Sequence, residues 1–137
     1  LSDFGLDPDA DSGFVEKKKN RKKKASVSPT QRSLKQLRDR GYLVWITEHY
    51  NAFTQRRHDL YNFIDIVGLN IEEVGILGIQ TTTLGGLNAR IKKAEELESY
   101  WMWLACGNDV EFHGWRFLKT SGIWEPKIVK VSYRDLF

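Results

Sequence analysis

Two short apolar runs, each interrupted by a single polar residue, constrain this chain more than any other feature. Phe63 to Leu69 (FIDIVGL) and Gly75 to Thr82 (GILGIQTT) are rich in branched residues and bounded by polar or glycine-containing turns. Segments of this length and composition read as strands. Neither alternates cleanly between apolar and polar, so both faces of each strand should be buried. A sheet covered on both faces needs helices on either side, which predicts an α/β domain. The polar link Asn70 to Glu73 is short enough to make the two strands an antiparallel hairpin.

The rest of the chain fits around that centre. Ser28, Pro29 and Gln31 form a helix-start signature, with an N-cap, proline in the first turn and a capping-box partner. Leu34 and Leu37 supply an apolar stripe, and Gly41 ends the helix. Tyr42 to Thr47 reads as a strand, and residues 49–61 read as a polar loop. After Gly85 and Gly86, apolar residues at Ile91, Ala94, Leu97, Trp101 and Leu104 predict one long helix from Leu87 to Ala105. Trp101 and Trp103, two residues apart, cannot share a helix face, so one should be exposed. Val110 to Phe117 and Ile128 to Tyr133 read as two further strands. The predicted order is α-β-β-β-α-β-β, without internal repeats.

Residues 1–26 stand apart as a tail, acidic and then basic. They contain KKKNRKKK: Lys17, Lys18, Lys19, Arg21, Lys22, Lys23 and Lys24 give seven basic residues in eight. A block of like charge repels itself and has nothing apolar to bury. It reads as a phosphate-binding arm, a localisation-type signal or a solvated linker. The net charge is +3, yet from Val27 onward there are 14 basic and 13 acidic residues, so the basic excess belongs to the tail. Asp7, Asp9 and Asp11 superficially resemble a calcium loop. Ser12 and Lys18 stand where that loop needs glycine and glutamate, which excludes it. Residues 27–137 form the folded domain, long enough for a single core with 41% hydrophobic residues. No apolar run approaches the roughly 20 residues of a membrane span. The single cysteine, Cys106, excludes an intrachain disulfide and fits an intracellular setting. One cysteine and three histidines give no zinc pattern, and no phosphate-binding glycine loop is present. Cys106 with His113 is a conceivable nucleophile pair, though packing is the simpler role for a cysteine ending an apolar helix.

The chemistry concentrates on Asp65 and Gln80. A carboxylate in an apolar strand is costly unless it is paired or bound to a cation. Polar side chains on neighbouring strands can converge on one point, where oxygen ligands suit Mg²⁺. The alternative is local: Asp65 capping a turn and Gln80 bonding across strands.

The element order, with Asp65 on the second strand and Gln80-Thr81-Thr82 on the third, resembles the PD-(D/E)XK nucleases. The similarity runs from about Ser28 to Tyr133 and is greatest to small Holliday-junction-resolvase-like and phage-type members, through RHDL (residues 57–60), IQTTT, NARIKK and GWRF. The resemblance implies a restriction-endonuclease-like core, α-β-β-β-α-β, with a central mixed sheet flanked by helices. It implies a Mg²⁺ (or Mn²⁺)-dependent DNA endonuclease, compatible with a homodimer, in the cytoplasm of a bacterium or a phage-infected cell. Asp65 and Gln80 match the metal-binding acids, the carbonyl of Thr81 matches the backbone ligand, and Thr82 takes the place of the lysine. Gln80 removes a negative charge from the site, and Glu48 or Asp59 is positioned to restore it, Glu48 being preferred. Arg90 or Lys93, from the helix after the glycines, is the substitute for the absent lysine; both also suit a solvated helix face. Arg56 and Arg57 are candidate phosphate contacts, and His58 a candidate proton carrier. The missing lysine leaves a second possibility, a lapsed nuclease fold binding nucleic acid or protein, including as a module of a longer protein.

Overall fold

The structure is a computed structural model and describes residues 27–136. The basic run Lys17–Lys24 lies outside the described residues. Helix α1 (Pro29–Asp39) is followed by β1 (Leu43–Ile46), the short strands β2 (His49–Asn51) and β3 (Arg56–His58), then β4 (Ile66–Leu69) and β5 (Leu77–Thr83). A 3-10 turn (Leu84–Gly86) leads into α2 (Leu87–Glu95) and α3 (Glu98–Ala105), followed by β6 (Asp109–Leu118), β7 (Ile123–Ser132) and a last turn of helix, α4 (Tyr133–Leu136). Five strands form one mixed sheet in the order β1-β4-β5-β6-β7, in which only β5 and β6 are parallel. The fold is thus α/β, with helices on both faces of a central sheet. Among the described residues no helix is long and apolar enough to cross a membrane.

Side-chain alternation along the central strands creates two cores. Leu77 and Ile79 of β5 and Ile66 of β4 pack with Leu34 and Leu37 of α1. On the opposite face Val110 and Phe112 of β6 pack with Leu87, Ala94, Tyr100 and Leu104 of α2 and α3, and with Phe63 and Ile64. Gly78 marks how closely α3 approaches: a Cβ there would lie 3.1 Å from both Ile64 and Trp103. At the N-terminus of α1, Ser28 accepts a hydrogen bond from the Gln31 N–H at 3.2 Å, as its capping pattern requires.

Four elements differ from the sequence expectation. The strand expected from Phe63 begins only at Ile66, because the chain turns over residues 61–63 and bends at Asp65, which therefore stands just ahead of the strand and not inside it. The long helix is broken: Leu97 adopts an extended conformation (φ −97°, ψ 133°) between α2 and α3. Ala94 and Tyr100 are both buried but lie six residues apart, a spacing that no straight helix places on one face. Restarting the helix turns Tyr100 and Leu104 inward and leaves Trp101 exposed. The loop 49–61 contains the β2–β3 hairpin, closed by the Asn51 side chain, which accepts from the N–H groups of Phe53 and Thr54. Its residues are largely exposed, so no apolar periodicity marks it. The last strand begins at Ile123, not Ile128, and runs through Pro126. As β7 is an edge strand, the missing proline N–H costs no ladder bond.

Candidate metal centre

Asp65 sits just ahead of β4, where its N–H donates to the Ile79 carbonyl at 2.9 Å, one residue out of the β4–β5 register. The paired register ends at Ile66–Ile79, so what ties Asp65 to β5 beside Gln80 is the Thr81 N–H, which donates to the Asp65 Oδ2 at 2.9 Å. Both side chains are buried. Gln80 faces the α2–α3 side, because its neighbour Thr81 points the other way and meets Ser33 of α1.

Two further carboxylates join them. The carbonyl of Asp65 accepts from the N–H groups of Thr47 (2.9 Å) and Glu48 (3.4 Å), fixing Glu48 at the end of β1. Asp59 is returned to the site by the turn Leu60–Phe63, in which Tyr61 (φ 54°) and Asn62 (φ 69°) are both left-handed. This is the pattern of a type I′ turn. Asn tolerates that conformation; Tyr61 is held in it by Ser99, whose hydroxyl donates to the Tyr61 carbonyl at 2.9 Å. The result is a cluster of Glu48, Asp59 and Asp65 whose oxygens all lie within 4.8 Å of one another. Gln80 donates to Asp59 through a long contact of 3.4 Å. The sequence suggested Glu48 or Asp59 as an additional acid; the fold brings both to Asp65.

The electrostatics are those of crowded acids. Burial pushes the Asp65 carboxyl up to about 8. The Thr81 N–H, donating to Oδ2 at 2.9 Å, opposes this, while Asp59 and then Glu48 add to the rise. Among the described residues the one ion pair reaching the cluster is Arg57 to Glu48, at 3.4 Å, with the Arg57 side chain largely exposed. Three carboxylates and one amide oxygen form a hard oxygen donor set, which fits Mg²⁺ or Mn²⁺. The amide need only turn over to offer its oxygen in place of its nitrogen.

The other sequence candidates are placed as follows. Thr81 touches Asp65 through its N–H. Thr82 shares the face of Gln80, and its hydroxyl lies 2.9 Å from where a Cβ on Gly86 would stand, so glycine is what lets the 3-10 turn close over it. Arg90 and Lys93 are exposed on α2, and among the described residues neither pairs with a carboxylate of the cluster. Arg56 and Arg57 lie on β3, and His58 meets the Thr54 hydroxyl at 3.2 Å. Cys106 and His113 do not form a pair. Cys106 is exposed at the end of α3. Both ring nitrogens of His113 are engaged on the α1 face, by Ser33 and Glu111, each at 2.8 Å.

Sequence reasoning missed that second polar group altogether. Arg40 forks onto Glu111 (3.0 and 2.8 Å), Glu111 meets His113, and Ser33 joins His113, Thr81 and the Trp115 indole N–H (2.9 Å). Burial favours the neutral form of Glu111, but Arg40 and His113 overcome it and hold the carboxyl down at about 2. Compared with protein-family models, curated proteins and solved structures, the chain matches none.

Proposed function

We propose that the Glu48–Asp59–Asp65 cluster with Gln80 is a divalent-cation site, and that the chain is a metal-dependent endonuclease of the PD-(D/E)XK type acting on DNA, with branched or otherwise structured DNA as its substrate. The observation that carries this reading is the convergence of Asp65 with Glu48 and Asp59, which bring one oxygen each to within 4.8 Å of one another, with Gln80 reaching Asp59 at 3.4 Å. The order α1-β1-β4-β5-α2-β6, with β6 parallel to β5, supports a restriction-endonuclease-like core. A Mg²⁺ ion bound there supplies a Lewis acid that polarises a phosphodiester and acidifies a water. The chain's own contribution is positional. Asp65, fixed by the Thr81 N–H, and Glu48, fixed by the Asp65 carbonyl, present oxygens toward one point. Arg57, beside Glu48, is placed to contact a neighbouring phosphate.

The second reading, a lapsed nuclease that binds nucleic acid, is favoured by Thr82 in the lysine position and by the absence of an Arg90 or Lys93 contact with the acids. Incubating labelled single-stranded, duplex, flap and four-way-junction DNA with Mg²⁺ or Mn²⁺, beside Asp65→Ala, separates the two. Cleavage lost in Asp65→Ala establishes the nuclease. Binding without cleavage in both proteins establishes the lapsed form.

A further inference from the structure

On the α1 side of the sheet, opposite the side Gln80 faces, a groove of about 400 Å³ runs between α1 and the outer end of the β6–β7 hairpin. Arg32 and Lys35 form one wall; Trp115, Trp124 and Pro126 form the floor and the other wall. Trp115 is nearly buried and its N–H is committed to Ser33, so it is a fixed floor. Trp124 is 42% exposed and packs against Phe117, 47% exposed, with ring centroids 5.5 Å apart. An exposed indole, backed by Phe117, thus stands in a groove whose α1 wall carries Arg32, Lys35, Gln36 and Asp39.

The charges around it are unevenly satisfied. Lys35 is paired with Asp39 at 3.0 Å, and Arg116 with Glu125 at 2.8 Å. Arg32 has no such partner among the described residues. Its guanidinium lies 4.0 Å above the Trp124 ring, and its Nε is buried without a hydrogen-bond acceptor. A buried N–H without an acceptor is uncommon and marks a donor that an incoming acceptor would satisfy. The acceptor must be anionic to suit a guanidinium, and the surface that Arg32 covers is an aromatic face. In sequence, the run of seven basic residues in eight ends at Lys24, a few residues before α1 begins at Pro29, and it also calls for a polyanion. A polyanion that carries planar rings fits nucleic acid, and an unpaired strand is the form that exposes its ring faces for stacking.

We propose that this groove binds single-stranded nucleic acid: Arg32 swings off Trp124 to fork onto a backbone phosphate, and a base takes its place over the indole. The site is separate from the carboxylate cluster and does not rest on the hydrolytic reading. Its test is the binding of fluorescein-labelled oligo(dT) to the full chain in EDTA, followed by anisotropy across a salt series. Trp124→Ala and Arg32→Gln each weaken binding about tenfold, the scale of one lost stack or charged contact. Arg32→Gln also lowers the salt slope by about one, while Trp124→Phe, which keeps a ring, stays within about threefold of the parent. Because EDTA withholds the metal that cleavage would need, the measurement reads binding alone, and failure of the nuclease reading would leave this result standing. Unchanged affinity in both Trp124→Ala and Arg32→Gln would overturn the proposal and leave the basic tail as the binding element. Equal Trp124 dependence for a blunt duplex would overturn the single-strand preference. A self-association abolished by Trp124→Ala, with oligo(dT) affinity unaltered, would overturn it in favour of a second copy of the chain.

Discussion

Asp65, just ahead of β4, and Glu111, on β6, are both buried acids of the central sheet region, and the protein treats them in opposite ways. Glu111 receives a two-pronged guanidinium from Arg40 and a ring nitrogen from His113, and its carboxyl is held at about 2. Asp65 receives one backbone N–H and is faced by Asp59 and Glu48; its carboxyl is pushed to about 8. A buried carboxylate is tolerated when its charge is matched and its lone pairs are filled. The fold meets both conditions at Glu111, so it has the means to neutralise a buried acid. At Asp65 it gathers more negative charge instead. Folding alone does not reward that arrangement, whereas recruitment of a cation does. The contrast separates a structural polar group from a candidate functional one without reference to any other protein.

The largest effect should come from breaking the satisfied group. Glu111→Ala strands Arg40 and His113, and losing one member of a buried pair costs about 3–5 kcal/mol. Arg40 is 33% exposed, so water relieves part of its loss and the value should fall toward the lower end. Urea unfolding measures it; a change below about 1 kcal/mol would mean that the network contributes little and that the comparison fails on its structural side. Ser33→Ala is next. It removes the partner of the Trp115 N–H and of one His113 nitrogen, both buried, for about 1–3 kcal/mol. Because Ser33 also meets Thr81, whose N–H holds Asp65, the same variant reports whether the two groups communicate.

Only half of this contrast was legible in the sequence. Asp65 and Gln80 stand out because each interrupts an apolar run. Glu111 and His113 were hidden by the alternation of β6, in which a polar residue at every second position reads as a solvent-facing side. That side is covered by α1, whose Arg40 lies 71 residues from Glu111 in sequence. No local pattern encodes a cover supplied from so far away. The gathering of Glu48 and Asp59 was partly legible, since both flank strand ends. What fixes Asp59 is the left-handed pair Tyr61–Asn62, and tyrosine is not a residue from which such a turn is read.

Cation binding should be a smaller effect than loss of the Glu111 network. At about ten times its Kd, Mg²⁺ should stabilise the parent by about 1.4 kcal/mol, and Asp65→Asn not at all. Thermal melts with and without EDTA read this directly. The pH dependences should run in opposite directions. Asp65 is raised from 3.8 to about 8, so its contribution is fully present below pH 3.8 and is lost as pH rises through about 8. Glu111 is lowered from 4.5 to about 2, so its contribution is present above pH 4.5 and is lost as pH falls through about 2. Metal-free stability should therefore decline between about pH 4 and 8, Asp65→Asn should flatten that decline, and Mg²⁺ should offset it at the upper end. A pH-independent parent over this range would remove the electrostatic distinction between the two acids.

The smallest effect tests whether Arg57 is to the cluster what Arg40 is to Glu111. Arg57 reaches Glu48 at 3.4 Å, but its side chain is 64% exposed, and exposed pairs contribute about 0–1 kcal/mol. Arg57→Ala should therefore leave unfolding in urea nearly unchanged. It should tighten Mg²⁺ binding about threefold, because it removes a positive charge close to the acids and leaves Glu48 free to ligate. If Arg57→Ala instead destabilised the fold as strongly as Glu111→Ala, Arg57 would be a structural counterion. The three acids would then be a neutralised surface group and not a cation site. Unchanged stability with tighter Mg²⁺ binding would leave Arg57 available for a phosphate, the role its place beside the cluster suits.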